Sequence, residues 1–357
     1  MMANKNVELN ELLKNFAIDR KTYGFQGINQ GYINDTYLVL DNHCPMYILQ
    51  RVNHNVFKDI HGLMDNIANA FQHLADLDYT AIQLLKTESG NSYFKDEKTG
   101  YWRLMTYINN TTAYDNATNT DIAFQAGKVV GKFHQLLAEA PLDHYVDTIP
   151  QFHNLQLREN QFEESILSAS VTKLQTAKQA ISFAKETLEK LKILDNSKLP
   201  LRVCHNDTKL NNILFSKENN KALCLIDLDT IMKGYFYFDF GDAIRTVANT
   251  ATEDEQDHRK ITFERPLFEA FIKGLESNGP FLYKEEIDLL PWGAVFMPFI
   301  HGLRALTDYL NNNIYYKVSY ENQNLDRCRS LFDFTNKALQ EIGYMTQVVN
   351  KGLTPKV

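Results

Sequence analysis

The hydrophobic pattern changes period once along these 357 residues, across the polar stretch 109–121, and few folds survive that change. Before it, segments 23–28, 36–40, 46–51, 80–86 and 101–107 are rich in β-branched and aromatic residues and are separated by Gly, Asn, Asp and Pro, which predicts strands. A short helix is expected at 4–16 and another at about 59–76. After it, Ile122, Ala126, Val129, Phe133 and Leu136 recur at helical spacing behind a capping Asn119 or Thr120. Leu174, Ala177, Ile181, Ala184, Leu188 and Leu191 form a second stripe, too short for a coiled coil. Further helices are expected at about 239–249, 265–276, 293–311 and 325–347. The reading is an α+β chain: a small, mostly antiparallel β-rich lobe over 1–108, then a larger, mainly helical lobe over 109–357 that begins with the linker.

Charge narrows the partners. Lys and Arg number 37 against 44 Asp and Glu, a net charge of −7 with no basic block, so neither nucleic acid nor an anionic membrane is expected as a partner. The most apolar stretch, 292–300, is half the length a bilayer needs and contains Pro298. The first sixteen residues lack the basic start and apolar centre of a signal peptide. Cys44, Cys204, Cys224 and Cys328 have neither metal-binding spacing nor close pairing, so buried or inert thiols in a reducing, cytoplasmic setting are expected. The sequence leaves the oligomeric state open.

The informative segment is 202–229, RVCHNDTKLNNILFSKENNKALCLIDLD. Residues 212–215 and 222–227 read as strands joined by a polar turn at 216–221. An antiparallel hairpin of that form pairs positions summing to about 437, so Asn212 faces residue 225 and Asp227 lies level with residue 210. Asn212 and Asp227 then meet at the open end, beside the loop carrying Asp207. Carboxylate and amide oxygens gathered in this way suit a hard cation such as Mg²⁺. The spacing His205-x-Asp207-x₄-Asn212 also matches the kinase catalytic loop, in which the Asp receives the acceptor proton and the Asn holds metal. Asp227 stands where protein kinases open D-F-G, although here the run is Ile226-Asp227-Leu228-Asp229.

HNDTKLNNIL, LIDLDTI and FDFGDAIR together resemble the aminoglycoside phosphotransferase/choline kinase superfamily, and within it the N-acetylhexosamine 1-kinases. GYINDTYLV, YILQRVN, WRLMTYI and GLRALTDYL extend the resemblance over most of the chain. It implies a protein-kinase-like bilobal fold that uses ATP and Mg²⁺, with Asp207 as catalytic base and Asn212 and Asp227 on the metal. Adenine would rest against backbone from Thr106 to Ile108. Arg304 and Tyr315 match positions lining the sugar pocket; Arg304 could equally form a surface salt bridge. Asn34 joins them and Asp207 as a candidate for acceptor binding, and Gly31 is a candidate for the phosphate loop.

The chain departs from the pattern in three places. The loop from Gly24 to Gly31 is not G-x-G-x-x-G, Tyr32 stands where relatives often carry His, and no V-A-I-K lysine is present. In the matching strand Gln50 or Arg51 must serve the α- and β-phosphates, or neither does. Glu253, Asp254, Glu255 and Asp257 read as the solvated first turn of a helix, and Asp239 and Asp242 as braces for the metal loop. A kinase of another small hydroxyl compound and a nucleotide-binding pseudokinase remain as alternatives.

Overall fold

The computed structural model describes residues 2–28, 33–80 and 82–356. Helix α1 (Met2–Leu13) precedes strands β1 (Gly24–Ile28), β2 (Asp35–Asp41) and β3 (Cys44–Val52), and helix α2 (Ile60–His73) follows them. Strands β4 (Leu84–Leu85), β5 (Phe94–Asp96) and β6 (Gly100–Thr106) complete an antiparallel sheet of order β1-β2-β3-β6-β4, with β5 also on β6. Phe16, Val39, Leu49, Trp102 and Leu104 close its outer face under α1. Strand alternation sends their neighbours Gln50 and Arg103, a register pair, to the opposite face. Among the described residues of the expected strand 80–86, only Leu84 and Leu85 pair.

The polar linker is less idle than expected. Its strand β7 (Thr111–Thr112) joins the hairpin β9 (Ile213–Ser216) and β10 (Ala222–Leu225) in a second sheet. Strand β8 (Arg202–Cys204) pairs with β11 (Met232–Gly234). The remaining chain is helical: α3 (Thr120–Leu136), α4 (Leu155–Ser168), α5 (Val171–Thr176), α6 (Lys178–Leu191), α7 (Phe236–Val247), α8 (Arg265–Glu276), α9 (Lys284–Leu310), α10 (Gln323–Gln340) and α11 (Ile342–Gly352). Asn119 caps α3 by accepting from Ile122 N.

Helix α9 forms the axis of the helical region. It begins at Lys284 rather than 293, because Tyr283 and Glu286 cap it and Pro291 is absorbed inside it. By length and apolarity it could cross a membrane, but 83% of its most apolar window is buried among the other helices. The stripe 174–191 is two helices broken at Ala177, and the stretch 325–347 is two broken at Glu341. Helix α4 left no stripe in the sequence because it buries only Phe162 and Ser165. Helices α3 and α8 touch backbone to backbone, where a Cβ at Gly127 or Gly274 would collide with the carbonyl oxygen of Phe271 or Phe124.

Candidate active site

The loop after β8 hangs from α7, held at its first turn and again near its end. His205 and Asn206 donate their backbone N–H groups to the two oxygens of Asp239, at 2.8 and 2.7 Å. Thr208 donates its hydroxyl to the Asp239 carbonyl, and Leu210 N donates to Thr246 Oγ1 at 2.9 Å. Asn206 takes the left-handed conformation (φ 62°) that this tight loop demands. The imidazole of His205 turns inward and meets Ile226 O at 2.8 Å, tying the loop to the end of β10. Asp239 thus braces the loop as expected. His134 and Cys204 also crowd it, a trio with metal-like spacing. Both Asp239 oxygens are already engaged, however, and burial holds the Cys204 thiol protonated, so the trio is a strut.

With the backbone pinned, the Asp207 side chain is left partly exposed. Its Oδ2 accepts from Asn212 Nδ2 at 2.9 Å and lies 3.0 Å from Lys209 Nζ. Asn212 Nδ2 also donates to Asp207 O at 2.8 Å, which leaves the amide oxygen of Asn212 uncommitted. Against burial, the charges of Asp207 and Asp227 hold the Lys209 ammonium above its ordinary range.

Asp227 arrives by a different register from the one expected. Ala222 pairs with Phe215, but Leu225 then pairs with Ile213, because a bulge at Leu223 slips the hairpin by one. The carbonyl of Leu223 accepts from Thr80 N at 2.9 Å, and Ile226 N donates to Asn212 O at 2.8 Å. Asn212 therefore faces 226, one residue beyond the expected 225, and Asp227 follows it in a left-handed turn (φ 62°). Asp227 is exposed at this turn. The protein crowded around it, followed by the charges of Asp229 and Asp207, still pushes its carboxyl up to about 6. Such uncompensated negative charge, with the free amide oxygen of Asn212 on the short turn just before β9, is a donor set that fits one hard divalent cation.

The sheet meets this turn from the other side. Arg103, fully buried on β6, places Nη1 2.5 Å from Asp229 Oδ1. Asn34 donates to the other oxygen of Asp229 at 2.6 Å and accepts from Asn53 N at 3.0 Å. Gln50 accepts from Arg103 Nε and Nη2 at 2.9 and 2.7 Å and donates to Thr36 Oγ1. Arg51 points the opposite way and pairs with Asp35 in solvent. Thr106 ends β6 opposite Tyr47, and the carbonyl of Ile108 accepts from Thr111 Oγ1 at 2.9 Å, so Thr106–Ile108 spans the strip between the two sheets. Gly31 and Tyr32 lie outside the described residues. Neither Arg103 nor Lys209 was singled out from sequence. The motif HNDTKLNN already contains Lys209, whereas Arg103 becomes visible only through pairing across the sheet.

A third group lies under the loop. His153 Nε2 is 3.2 Å from Asn206 O, and its ring packs on Phe238 and beside His301. His301 Nε2 stands 3.3 Å from Asp242, which is fully buried and also 2.6 Å from Arg245 Nε. Against burial, Arg245 and His301 hold the Asp242 carboxyl well below the usual range. Glu253 is no helix-start acid: it lies between Arg245 and Arg327, whose charges depress it despite its burial. Arg304 lies over the rings of Phe152 (5.1 Å) and Tyr315 (5.9 Å), and among the described residues it has no carboxylate within salt-bridge distance. Asp308 holds the Tyr315 loop by accepting from Tyr315 N and Tyr316 N at 2.8 and 2.9 Å. A cavity of about 480 Å³ adjoins Asn206 and is walled by Phe152, His153, Tyr235, Tyr237 and Phe238, within the range of small-molecule sites. Cys204, Cys224 and Cys328 are buried as expected, but Cys44 is exposed.

Known proteins share this architecture. The chain is similar over 95% of its length to a microcompartment-associated aminopropanol kinase, with a TM-score of 0.61, 14% identity and 98% of that chain covered. A spectinomycin phosphotransferase solved with ADP and spectinomycin matches 96% of the chain and 98% of its own, with a TM-score of 0.62 and 16% identity. An ethanolamine kinase from Plasmodium vivax matches 91% and 88%, with a TM-score of 0.56 and 12% identity. At these identities the likeness is one of fold. The sequence adds its own match: the model of the "Phosphotransferase enzyme family" spans residues 24–270, from the first strand of the sheet through the loop of Asp207 and the turn of Asp227, and the chain belongs to that family.

Proposed function

We propose that this phosphotransferase is an ATP- and Mg²⁺-dependent kinase that phosphorylates the anomeric hydroxyl of an N-acetylhexosamine, releasing the sugar 1-phosphate and ADP. The observation that carries the phosphoryl-transfer part is Asp207, fixed by Asn212 and Lys209 on a braced loop beside Asp227. Asp207 orients the acceptor hydroxyl and takes its proton as the oxygen attacks the γ-phosphorus. Lys209, held above its ordinary range, remains an ammonium and faces the charge that develops on the transferred group. Asn212 and Asp227 would hold Mg²⁺, which when bound neutralises the phosphate oxygens. Residues 1–108 would carry the nucleotide, with adenine against Thr106–Ile108, and residues 109–357 the acceptor. A reducing, cytoplasmic location belongs to the same proposal.

Charge on the acceptor side supports a neutral sugar. Asp242 and Glu253, the acids that could attract an amine, are already paired with Arg245 and Arg327, while among the described residues Arg304 has no such partner. An amino alcohol or aminoglycoside would meet net positive charge there, whereas sugar hydroxyls and an acetamido oxygen can accept from guanidinium N–H groups. A panel of N-acetylglucosamine, N-acetylgalactosamine, amino alcohols and aminoglycosides, read by ADP release, tests the substrate class. Phosphorus NMR of the product then locates the phosphate. Phosphate on O6, or faster turnover of an amine, would replace the sugar assignment; ATP binding without turnover of any acceptor would make the chain a binding module.

A further inference from the structure

Phosphotransferases of kinase type place a cation from the sheet at the nucleotide phosphates, in protein kinases a β3 lysine paired with a glutamate on the following helix. Both partners are missing here. The β3 residue is Gln50, and α2 offers only Asp65, exposed and beside His61. The positive charge on that face has moved one strand over. Arg103 stands opposite Gln50 in register, only 1% exposed, with Nε and Nη2 donating to the Gln50 side chain and Nη1 against Asp229. Asp229 lies two residues past Asp227, on the same turn, and its second oxygen is held by Asn34.

We infer that Arg103, aimed by Gln50, is a positioning residue that fastens the Asp227–Asp229 turn to the nucleotide-bearing sheet and thereby sets the affinity for Mg·ATP. The geometry explains each residue type. A glutamine at 50 can accept two guanidinium bonds and fix its plane, which a lysine there would prevent by repulsion. An arginine is required because a fork must reach Gln50 and Asp229 together, and one ammonium cannot reproduce that geometry. Asn34, which the sequence suggested for acceptor binding, belongs on this reading to the same clasp.

The inference rests on the ATP-dependent reading, and binding measurements separate the two. Calorimetry with Mg·AMP-PNP and no acceptor comes first: absence of binding to the unaltered protein overturns the kinase reading and this inference with it. Given binding, Arg103→Met should weaken it about tenfold or more and raise the Mg²⁺ concentration for half-maximal turnover, with the acceptor Michaelis constant nearly unchanged. Arg103→Lys should recover only part of the loss. Gln50→Leu, which buries no new charge, should shift nucleotide affinity the same way by less, and it serves as the test if Arg103→Met does not fold. The double variant Arg103→Met/Asp229→Asn should be no worse than the weaker-binding single variant, because both act through one pair. A folded Arg103→Met or Gln50→Leu protein with unaltered affinity for Mg·AMP-PNP, or a loss shared equally with the acceptor, overturns the inference.

Discussion

At the scale of single residues the two cleft carboxylates should fail differently. Asp207 is held by Asn212 and Lys209 and is proposed to act on the acceptor, so Asp207→Asn should leave Mg·AMP-PNP binding nearly intact. Its turnover should fall by about 10²–10⁴-fold, the usual contribution of a positioned acid–base group. Asp227→Asn removes a charge from the proposed metal site and should damage nucleotide binding itself, with calorimetry reading the loss directly. Arg304→Ala should raise the Michaelis constant for the proposed sugar acceptor far more than that for ATP, because Arg304 lies over Phe152 and Tyr315 in the helical region and not on the sheet. Asp207, Asn212 and Asp227 were legible because a loop and a hairpin bring them together within twenty-one residues of sequence. Arg103 was not, since nothing local distinguishes a buried strand arginine from a surface one until Gln50 and Asp229 close around it.

Elements were legible where their periodicity was strong. Helices α3 and α8 each bury a regular stripe and were read close to their true bounds, whereas α4 buries too little to show one. The hairpin was found but its register was off by one, because the bulge at Leu223 is drawn out by a bond to Thr80, a residue remote in sequence. Between α3 and α8 the fit is tight enough that one methyl group matters. Gly274→Ala would push its Cβ into the Phe124 carbonyl, and overpacking of that kind costs about 1–3 kcal/mol, so chemical denaturation should show the midpoint falling without a change in nucleotide affinity per folded molecule.

For the whole molecule the buried histidines make stability depend on pH. Burial, with the charges of His301 and Arg304, pushes His153 down to about 3. Burial, with Arg245 and Arg304, pushes His301 down to about 4 even though Asp242 opposes the shift. The unfolded chain takes up these protons near pH 6.5, while the folded protein refuses them until far lower. Stability should therefore decline as pH falls from about 6.5 towards 4, before the carboxylates that are depressed in the fold, Asp242 and Glu253, add their own loss below that window. Melting curves across this range should show the decline, and His153→Asn should make it shallower throughout, leaving the share of His301. The α+β outline was readable from the change of period at 109–121, but this acid sensitivity was not, because ten scattered histidines give no sign of which are enclosed.

Helix α2 carries one more consequence. In protein kinases the helix after β3 is the control arm, and its swing decides whether the enzyme works. Here its buried Asn66 donates to Val146 O and Ile231 O, both at 2.8 Å, and accepts from Val146 N at 3.0 Å. Those three bonds rivet the arm to the catalytic region, and they would have to break together for it to swing. With that anchor in place, α2 is expected to keep one position whether or not nucleotide is bound. Hydrogen exchange should find the α2 amides as protected as those of α3 and more protected than those of β1 and β2, with no change in that order when nucleotide binds.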